Sequence, residues 1–176
     1  MSEYCTGITS QGVKFFYDPE DEELVRRHTW VLSKRGYIIT SVNRKKVCLH
    51  RMLIPADRGF DIDHINGDKL DNRRCNLRVC THQQNTFNQK CRCTNTSGYM
   101  GVSKHKAANK YEAYINLSAR KIYLGLYETA EEAARVRDRA ALFYYGEFAN
   151  LNFKGEGDEK EYSRACTEIH ASNVAV

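Results

Sequence analysis

The pattern of apolar and polar residues up to about residue 53 predicts short strands with one helix among them. Residues 13–18 and 37–42 are rich in β-branched and aromatic side chains, which favours strands. Between them, residues 19–28 are first acidic and then basic, an order that suits the dipole of a short helix. Residues 46–53 are apolar, and their pattern fits either a strand or a short helix.

A strand, a polar loop, a second strand and a helix are predicted next. Residues 60–65 alternate with a period of two and run into Asn66-Gly67, a strong turn signal. Residues 76–79 form a second short extended segment. Thr81 and Gln84 have the spacing of a capping box, so a helix is expected to begin there.

The pattern changes after residue 98. Residues 99–103, 111–117 and 121–127 read as three strands separated by short polar loops. A helix follows, with Thr129 as its N-cap, and alanines recur on one side of it at helical spacing up to Gly146. The pattern predicts a three-stranded antiparallel sheet packed on one helix.

Composition and charge restrict the class of protein. The chain has 176 residues, of which 41% are hydrophobic and 28% charged, as in globular proteins. No apolar run reaches membrane-spanning length and no secretion signal is recognisable, so we expect an intracellular protein with reduced cysteines. The spacing of the seven cysteines disfavours a structural zinc site. Basic residues concentrate between positions 34 and 93, which suggests either a polyanionic partner or a solvated basic surface.

The segment from Asp63 to Asn85 holds the groups needed to cut a phosphodiester bond. His64 is the natural general base, since its ordinary pKa lies near neutrality. Asp63 and the amide of Asn85 would suit a hard cation such as Mg²⁺. Asn76 could orient His64 by accepting its second ring N–H. Arginines suited to phosphate contact accompany these groups, namely Arg73, Arg74 and Arg78.

Two nearby polar residues allow a structural or a functional interpretation. Asn72 is expected to shape the loop rather than to act in catalysis. His50 is expected to make a structural hydrogen bond, with a role next to the catalytic groups as the alternative. The Asp63-His64 pair followed by Asn66-Gly67 could by itself be a strand entering a turn, and only the downstream motifs raise it to a candidate site.

Several short motifs in order give the chain a resemblance to the HNH homing endonucleases of phage and intron origin. They are Leu49–Leu53, Asp63–Asp68, Asp71–Arg74, Asn76–Arg78 and Gln84-Asn85, within about residues 36–88. The resemblance implies a ββα-metal fold with one Mg²⁺ or Mn²⁺ per active site. It also implies that Asp63 and Asn85 bind the metal, that His64 is the general base and that Asn76 orients it.

Residues 99–153 are similar to the DNA-binding domain of plant ethylene-response factors, in which a three-stranded sheet enters the major groove. Arg137 stands where that family has an aromatic residue, and we expect it to reach the edge of the domain. A solvated sheet face is the alternative for the strand residues. The candidate DNA-binding residues are Ser103, Lys104, His105, Tyr114, Asn116, Arg120, Lys121 and Tyr123.

We therefore expect an α+β protein that acts as a site-specific, homing-type DNA endonuclease, a metal-dependent phosphodiester hydrolase. The alternative is a non-catalytic DNA-binding transcriptional regulator with a vestigial nuclease domain. The expected partner is double-stranded DNA, bound by a monomer with no membrane and no small-molecule cofactor, in a bacterial cytoplasm or a virus-infected host cell. The expected segments are a β-rich N-terminal extension (1–35), a nuclease domain (36–93), a linker (94–98), a DNA-binding domain (99–153) and a mobile tail (154–176).

Overall fold

A computed structural model describes residues 4–88, 95–117 and 120–154. The chain divides into two compact units, Met1–Thr86 and Phe87–Val176. Both combine helices with small antiparallel sheets. Apart from its first residue, the expected mobile tail lies outside the described residues. Among those that are described, no helix is long and apolar enough to cross a membrane.

Three small antiparallel sheets, three short α-helices and two single-turn 3-10 helices, Pro19–Asp21 and Arg74–Asn76, make up the first unit within the described residues. The strands pair as β1–β2, β3–β4–β5 and β6–β7. Residues 46–53, whose apolar pattern fitted either a strand or a helix, form both, because β5 is followed directly by α2. The bounds are β1 (Cys5–Ile8), β2 (Lys14–Tyr17), α1 (Glu22–Arg26), β3 (Val31–Leu32), β4 (Ile38–Val42), β5 (Lys45–Cys48), α2 (Leu49–Leu53), β6 (Phe60–His64), β7 (Leu77–Thr81) and α3 (His82–Phe87).

One hydrophobic core joins the N-terminal extension to the segment that carries the candidate site. Aromatic residues from the extension pack with aliphatic residues from α2, β6 and β7, which removes them from water and stabilises the unit. Backbone bonds add to this, since Phe16 N–H donates to Leu70 O and Asn72 N–H donates to Phe16 O. Strand β2 therefore holds the loop between β6 and β7 in place. The core includes Phe15, Tyr17, Trp30, Leu49, Leu53, Ile62 and Leu77.

The second unit is a three-stranded sheet packed on a helix. Its elements are β8 (Val102–His105), β9 (Lys110–Leu117), β10 (Arg120–Tyr127) and α4 (Ala130–Tyr145), with β9 in the centre of the sheet. Thr129 and Glu132 form the expected capping box at the start of α4. Four alanines of α4 are completely buried, which lets the helix backbone approach the sheet closely.

Arg137 does not reach the edge of the second unit, and that prediction was wrong. Its side chain is buried, and Nη1 donates to the carbonyl of Asn150 at 2.6 Å and to Asp138 at 3.1 Å. Because the carbonyl of Asn150 accepts a hydrogen bond from the guanidinium inside the domain, the side chain can be buried without losing a hydrogen-bond partner. Gly101 makes room for it, because a Cβ there would lie 2.7 Å from Cγ of Arg137.

Candidate nuclease site

Asp63 and Arg78 form an ion pair across the β6–β7 ladder. The two residues are direct partners in the antiparallel register. Nη2 and Nε of Arg78 lie 2.8 and 3.1 Å from Oδ2 of Asp63. Both side chains are largely withdrawn from solvent, so the guanidinium compensates a carboxylate that would otherwise be buried without a counter-charge.

His64 follows Asp63 on the strand and is buried beside Asn72. Its Nε2 lies 3.4 Å from Oδ1 of Asn72. The amide orientation is set by its other end, since Nδ2 of Asn72 donates to the carbonyl of Lys69. An amide oxygen only accepts hydrogen bonds, so this contact favours the neutral tautomer with the proton on Nε2, in which Nδ1 is the basic nitrogen.

Two further rings, those of His50 and Tyr37, pack near His64. The ring centroids of His50 and Tyr37 lie 5.1 and 6.1 Å from that of His64. Burial lowers the pKa of His64, although the bond to Asn72 opposes this. Burial also lowers the pKa of His50 to about 3, and the neighbouring His64 adds to the effect. Both imidazoles are therefore uncharged near neutral pH.

Asn76 does not contact the ring of His64, which corrects the predicted geometry. Its Oδ1 accepts from the N–H of Asn66 at 3.0 Å, and its Nδ2 donates to the carbonyl of Asp71 at 2.7 Å. The amide is thus used to pair backbone groups of a buried loop, which would otherwise be unsatisfied. The roles expected of Asn72 and Asn76 are exchanged, because Asn72 makes the contact to the imidazole. The hydrogen bond expected of His50 is also missing at Nδ1, which has no partner among the described residues.

Asn85 reaches the β6 strand at Asp61. Its Nδ2 donates to Oδ2 of Asp61 at 3.2 Å, and Nδ1 of His82 lies 3.0 Å from the same oxygen. Nη2 of Arg51 lies 3.1 Å from Oδ1. The hydrogen bonds from His82 and Asn85 lower the pKa of Asp61, so its carboxylate stays charged.

Asp61 was not among the predicted site residues, although its spacing from Asp63 in the predicted strand pointed to it. In a strand, residues two apart share one face, and Asp61 and Asp63 are therefore on the same side of β6. This face offers two carboxylates, and the Asn85 amide on α3 is bonded to that of Asp61 through its nitrogen. Such hard oxygen donors suit Mg²⁺ or Mn²⁺. Among the described residues, no three His, Cys, Asp or Glu side chains group closely enough to hold a metal by themselves.

The arginines expected at DNA phosphates are bound to carboxylates of this chain. Arg73 binds Asp71 through two bonds of 2.7 Å. Arg74 reaches Asp21 with bonds of 2.7 and 3.1 Å. Together with the Asp63–Arg78 pair, these contacts hold the loop and the N-terminal extension in place.

Most of the candidate DNA-binding residues of the second unit share the sheet face opposite α4. The face packed on the helix carries Val102, Ala113 and Ile115, and the ladder register therefore assigns the alternate positions to the other face. Lys104 and Arg120 are the exceptions, because the register puts them on the face that packs on α4. Both lie at strand ends and remain exposed there. The residues on the outer face are Ser103, His105, Tyr114, Asn116, Lys121 and Tyr123.

Charge on this outer face is partly neutralised. Nζ of Lys121 lies 2.5 Å from Oε1 of Glu112 and 4.1 Å from the ring centroid of Tyr114. Tyr123 is 57% exposed, so its ring is accessible to a partner on this face. Nδ1 of His105 accepts from Ala108 N–H, which fixes its ring at the loop between β8 and β9.

Comparisons with known proteins match the segment of the first unit that carries the candidate site. The HNH endonuclease family model matches residues 54–87, which cover β6, the loop, β7 and α3. The uncharacterized HNH endonuclease L560 of Acanthamoeba polyphaga mimivirus is 32% identical over 150 residues, covering 81% of this chain and 76% of that protein.

A second group of relatives matches a smaller part of the chain. The AP2-like ethylene-responsive transcription factor ANT of Arabidopsis thaliana is 37% identical over 86 residues, which cover 43% of this chain and 15% of that protein. The ethylene-responsive transcription factor WRI1 of the same plant is 36% identical over 76 residues, 38% of this chain and 18% of that protein. Since the mimivirus protein is similar over most of both chains, this chain belongs to the HNH endonuclease family.

Proposed function

We propose that the protein is a homing-type, site-specific DNA endonuclease that hydrolyses phosphodiester bonds with one divalent cation, Mg²⁺ or Mn²⁺, per active site. Strands β6 and β7 and helix α3 then constitute a ββα-metal module. Asp63 and Asn85 would hold the cation, and His64 would act as general base. The observation that carries the proposal is the contrast between two consecutive side chains: Asp63 is a buried, charge-paired carboxylate, and His64 is a buried imidazole kept neutral.

His64 would remove a proton from the attacking water. With Nε2 protonated towards Asn72, the basic nitrogen is Nδ1. The water oxygen attacks phosphorus, its proton goes to His64, and the bond from phosphorus to the 3′ oxygen breaks. The products are a 5′-phosphate and a 3′-hydroxyl, whose proton comes from solvent. A divalent cation held by Asp63 and Asn85 would supply positive charge that stabilises the negative charge developing on the phosphate.

Arg78 would change partners during the reaction cycle. Its guanidinium is bonded to Asp63. If Asp63 held a divalent cation, the guanidinium would be available beside the site to bind a phosphate oxygen of the substrate. Arg78 would therefore still bind phosphate, as the sequence predicted. Arg73 and Arg74 instead have structural roles in this proposal, because both are committed to carboxylates.

Asp61 would position the metal-binding amide. A carboxylate can only accept, so the bond from Asn85 to Asp61 must come from Nδ2 of the amide. This fixes which end of the amide faces the strand and leaves Oδ1 as the end available to a cation. Asp61 would thus orient a ligand in the way that supporting residues commonly orient the ligands of metal sites.

The second unit would bind the DNA target as an ethylene-response-factor-type domain spanning residues 99–153. The similarity to plant AP2-like factors and the three-stranded sheet with an exposed polar face support this proposal. The side chains proposed to contact DNA are the outer-face residues, with Lys104 and Arg120 contacting phosphates from the strand ends.

The enzyme would act on double-stranded DNA as a monomer, inside a bacterium or a virus-infected host cell. The similarity to a mimivirus endonuclease supports the second setting. The alternative is a DNA-binding regulator with a vestigial nuclease domain. We favour the nuclease because Asp63, His64 and Asn85 are all retained, which a domain without catalysis would not require.

Conversion of supercoiled plasmid to nicked or linear DNA tests the proposal. Wild-type protein should cut with Mg²⁺ or Mn²⁺ and should not cut in excess EDTA. Asp63→Ala should reduce cutting by at least about a hundredfold while DNA binding persists. An exposed carboxylate in the loop before β6 provides a matched control, and Asp57→Ala should cut like the wild type. Equal cutting in EDTA, or by Asp63→Ala, would remove metal hydrolysis from the account.

A further inference from the structure

The sheet formed by β3, β4 and β5 has an outer face that the hydrophobic core does not cover. Ile38 and Thr40 of β4 point into the unit and are almost fully buried, so Ile39 and Ser41 face outward. Lys46 on β5 pairs directly with Ser41 and thus lies on the same face. A groove of about 480 Å³ runs over this face.

Positive charge and hydroxyl groups line the groove. Arg27, His28 and Thr29 form the wall before β3, and Ser41 and Lys46 form part of the floor. Among the described residues that line it, none is acidic. Arg27 is paired with Glu23 on its own helix, but both side chains are exposed, and such pairs contribute little. Its guanidinium can therefore turn towards another anion at small cost.

The hairpin between β4 and β5 continues this basic surface. Asn43 and Arg44 both have positive φ, 49° and 62°, as a tight two-residue hairpin requires. The turn places Arg44 two residues before Lys46, and both side chains are exposed. Lys45 pairs with Val42, so its side chain points to the opposite face of the strand. Within the described part of the chain, neither Arg44 nor Lys46 forms an ion pair. These two cations extend the basic surface from the hairpin to the groove.

We propose that this groove binds phosphates of the DNA backbone, as a second contact of the nuclease unit with its substrate. This proposal rests on the proposed function, because it takes DNA as the substrate. A nuclease must hold the backbone with cations. Arg73 and Arg74, which the sequence singled out for this task, are committed to carboxylates. The groove supplies what they do not, namely cations and hydroxyl donors converging on a concave surface.

Binding of the full chain to a short fluorescent duplex in EDTA tests the groove without requiring cutting. Lys46→Gln should weaken binding about fivefold and reduce the slope of log affinity against log salt by about 1. Ser41→Asp places a carboxylate on the groove floor and should weaken binding by about tenfold. Exposed strand positions of the same unit give matched controls, and Lys14→Gln and Thr6→Asp should stay within about twofold of wild type.

Two outcomes would overturn the groove proposal. In the first, the groove variants bind the duplex with the same affinity and the same salt slope as the control variants. In the second, inorganic phosphate raises the melting temperature of wild type but not of Lys46→Gln, while both proteins bind the duplex equally well. The groove would then be a site for free anions and not for DNA. Because cutting is not measured here, a failed nuclease proposal would show separately, as wild-type protein that binds duplex and leaves plasmid intact.

Discussion

Oδ2 of Asp63 lies 2.8 Å from Nη2 of Arg78, its direct partner across the β6–β7 ladder. A carboxylate proposed to bind a cation is thus already bound to one supplied by the chain. The two cations compete for the same oxygen, so the metal affinity of the site should include the cost of displacing the guanidinium.

Removing Arg78 should separate metal binding from cutting. With Arg78→Gln we expect Mn²⁺ to bind about three- to tenfold more tightly, since the competing cation is gone. Cutting should nevertheless fall by about tenfold to a hundredfold, because the phosphate loses its guanidinium. Titration of Mn²⁺ by electron paramagnetic resonance measures the first effect, and plasmid cutting measures the second. Arg58→Gln is the control, since Arg58 is exposed. Unchanged or weaker Mn²⁺ binding by Arg78→Gln would rule out competition.

Asp61 should matter to the metal through Asn85. Asp61→Ala removes the acceptor that orients the amide, and Mn²⁺ affinity should fall by about tenfold. Asp61→Asn keeps an acceptor oxygen at the same place and should restore most of this affinity. A residue that merely stabilised the fold would lower the melting temperature without this difference in metal binding. Similar Mn²⁺ affinities for the Ala variant and wild type would refute the positioning role.

His50 should make the stability of the first unit depend on pH. Its pKa is about 3 when folded and 6.5 ordinarily, so the unfolded chain binds the proton more readily between these values. Stability is fully present above about pH 6.5 and decreases as the pH falls towards 3. At pH 5 the loss from His50 should be roughly 2 kcal/mol.

Urea unfolding of wild type and His50→Gln at pH 7.5 and pH 5 measures this contribution. The variant cannot take up the proton, so the fall in unfolding free energy between the two pH values should be smaller by roughly 2 kcal/mol. His64 titrates in the same direction in both proteins, so the difference between them measures the proton uptake that is lost with His50. Parallel pH dependences for the two proteins would mean that His50 is not held neutral by burial.

Lys121 on the outer sheet face of the second unit is held by Glu112. Glu112→Gln should free Lys121 for phosphate and tighten DNA binding about threefold, with a salt slope larger by about 1. Lys121→Gln should have the opposite effect on both quantities. Fluorescence anisotropy across a range of salt concentrations measures them. Glu131→Gln removes the same charge from helix α4 and should change the affinity less. Equal effects of the two glutamate variants would mean that only net charge matters.

Signals local in sequence were sufficient to predict much of the fold. The period of two in residues 60–65 predicted β6, and the pair Thr81 and Gln84 predicted the start of α3, where Gln84 N–H donates to Thr81 Oγ1. The same reasoning predicted α4 from Thr129 and Glu132. These features depend on groups a few residues apart, so their geometry follows from the backbone period.

Long-range partners could not be predicted in the same way. Arg74 binds Asp21, which is 53 residues away, and no local pattern indicates this pairing. The exchange between Asn72 and Asn76 depends on how the loop closes against β2, and both side chains are chemically equivalent in the sequence. Asp61 was overlooked because its partners lie on α2 and α3, whose directions relative to β6 are set by packing.

Chemical rescue of a His64 variant tests the central claim most directly. His64→Gly should cut plasmid about a hundredfold to ten-thousandfold more slowly than wild type, since general-base catalysis typically contributes that much. Its DNA affinity should be unchanged, and added imidazole should restore part of the cutting rate by occupying the vacated space. A His64→Gly protein that cuts at the wild-type rate without imidazole would contradict the account.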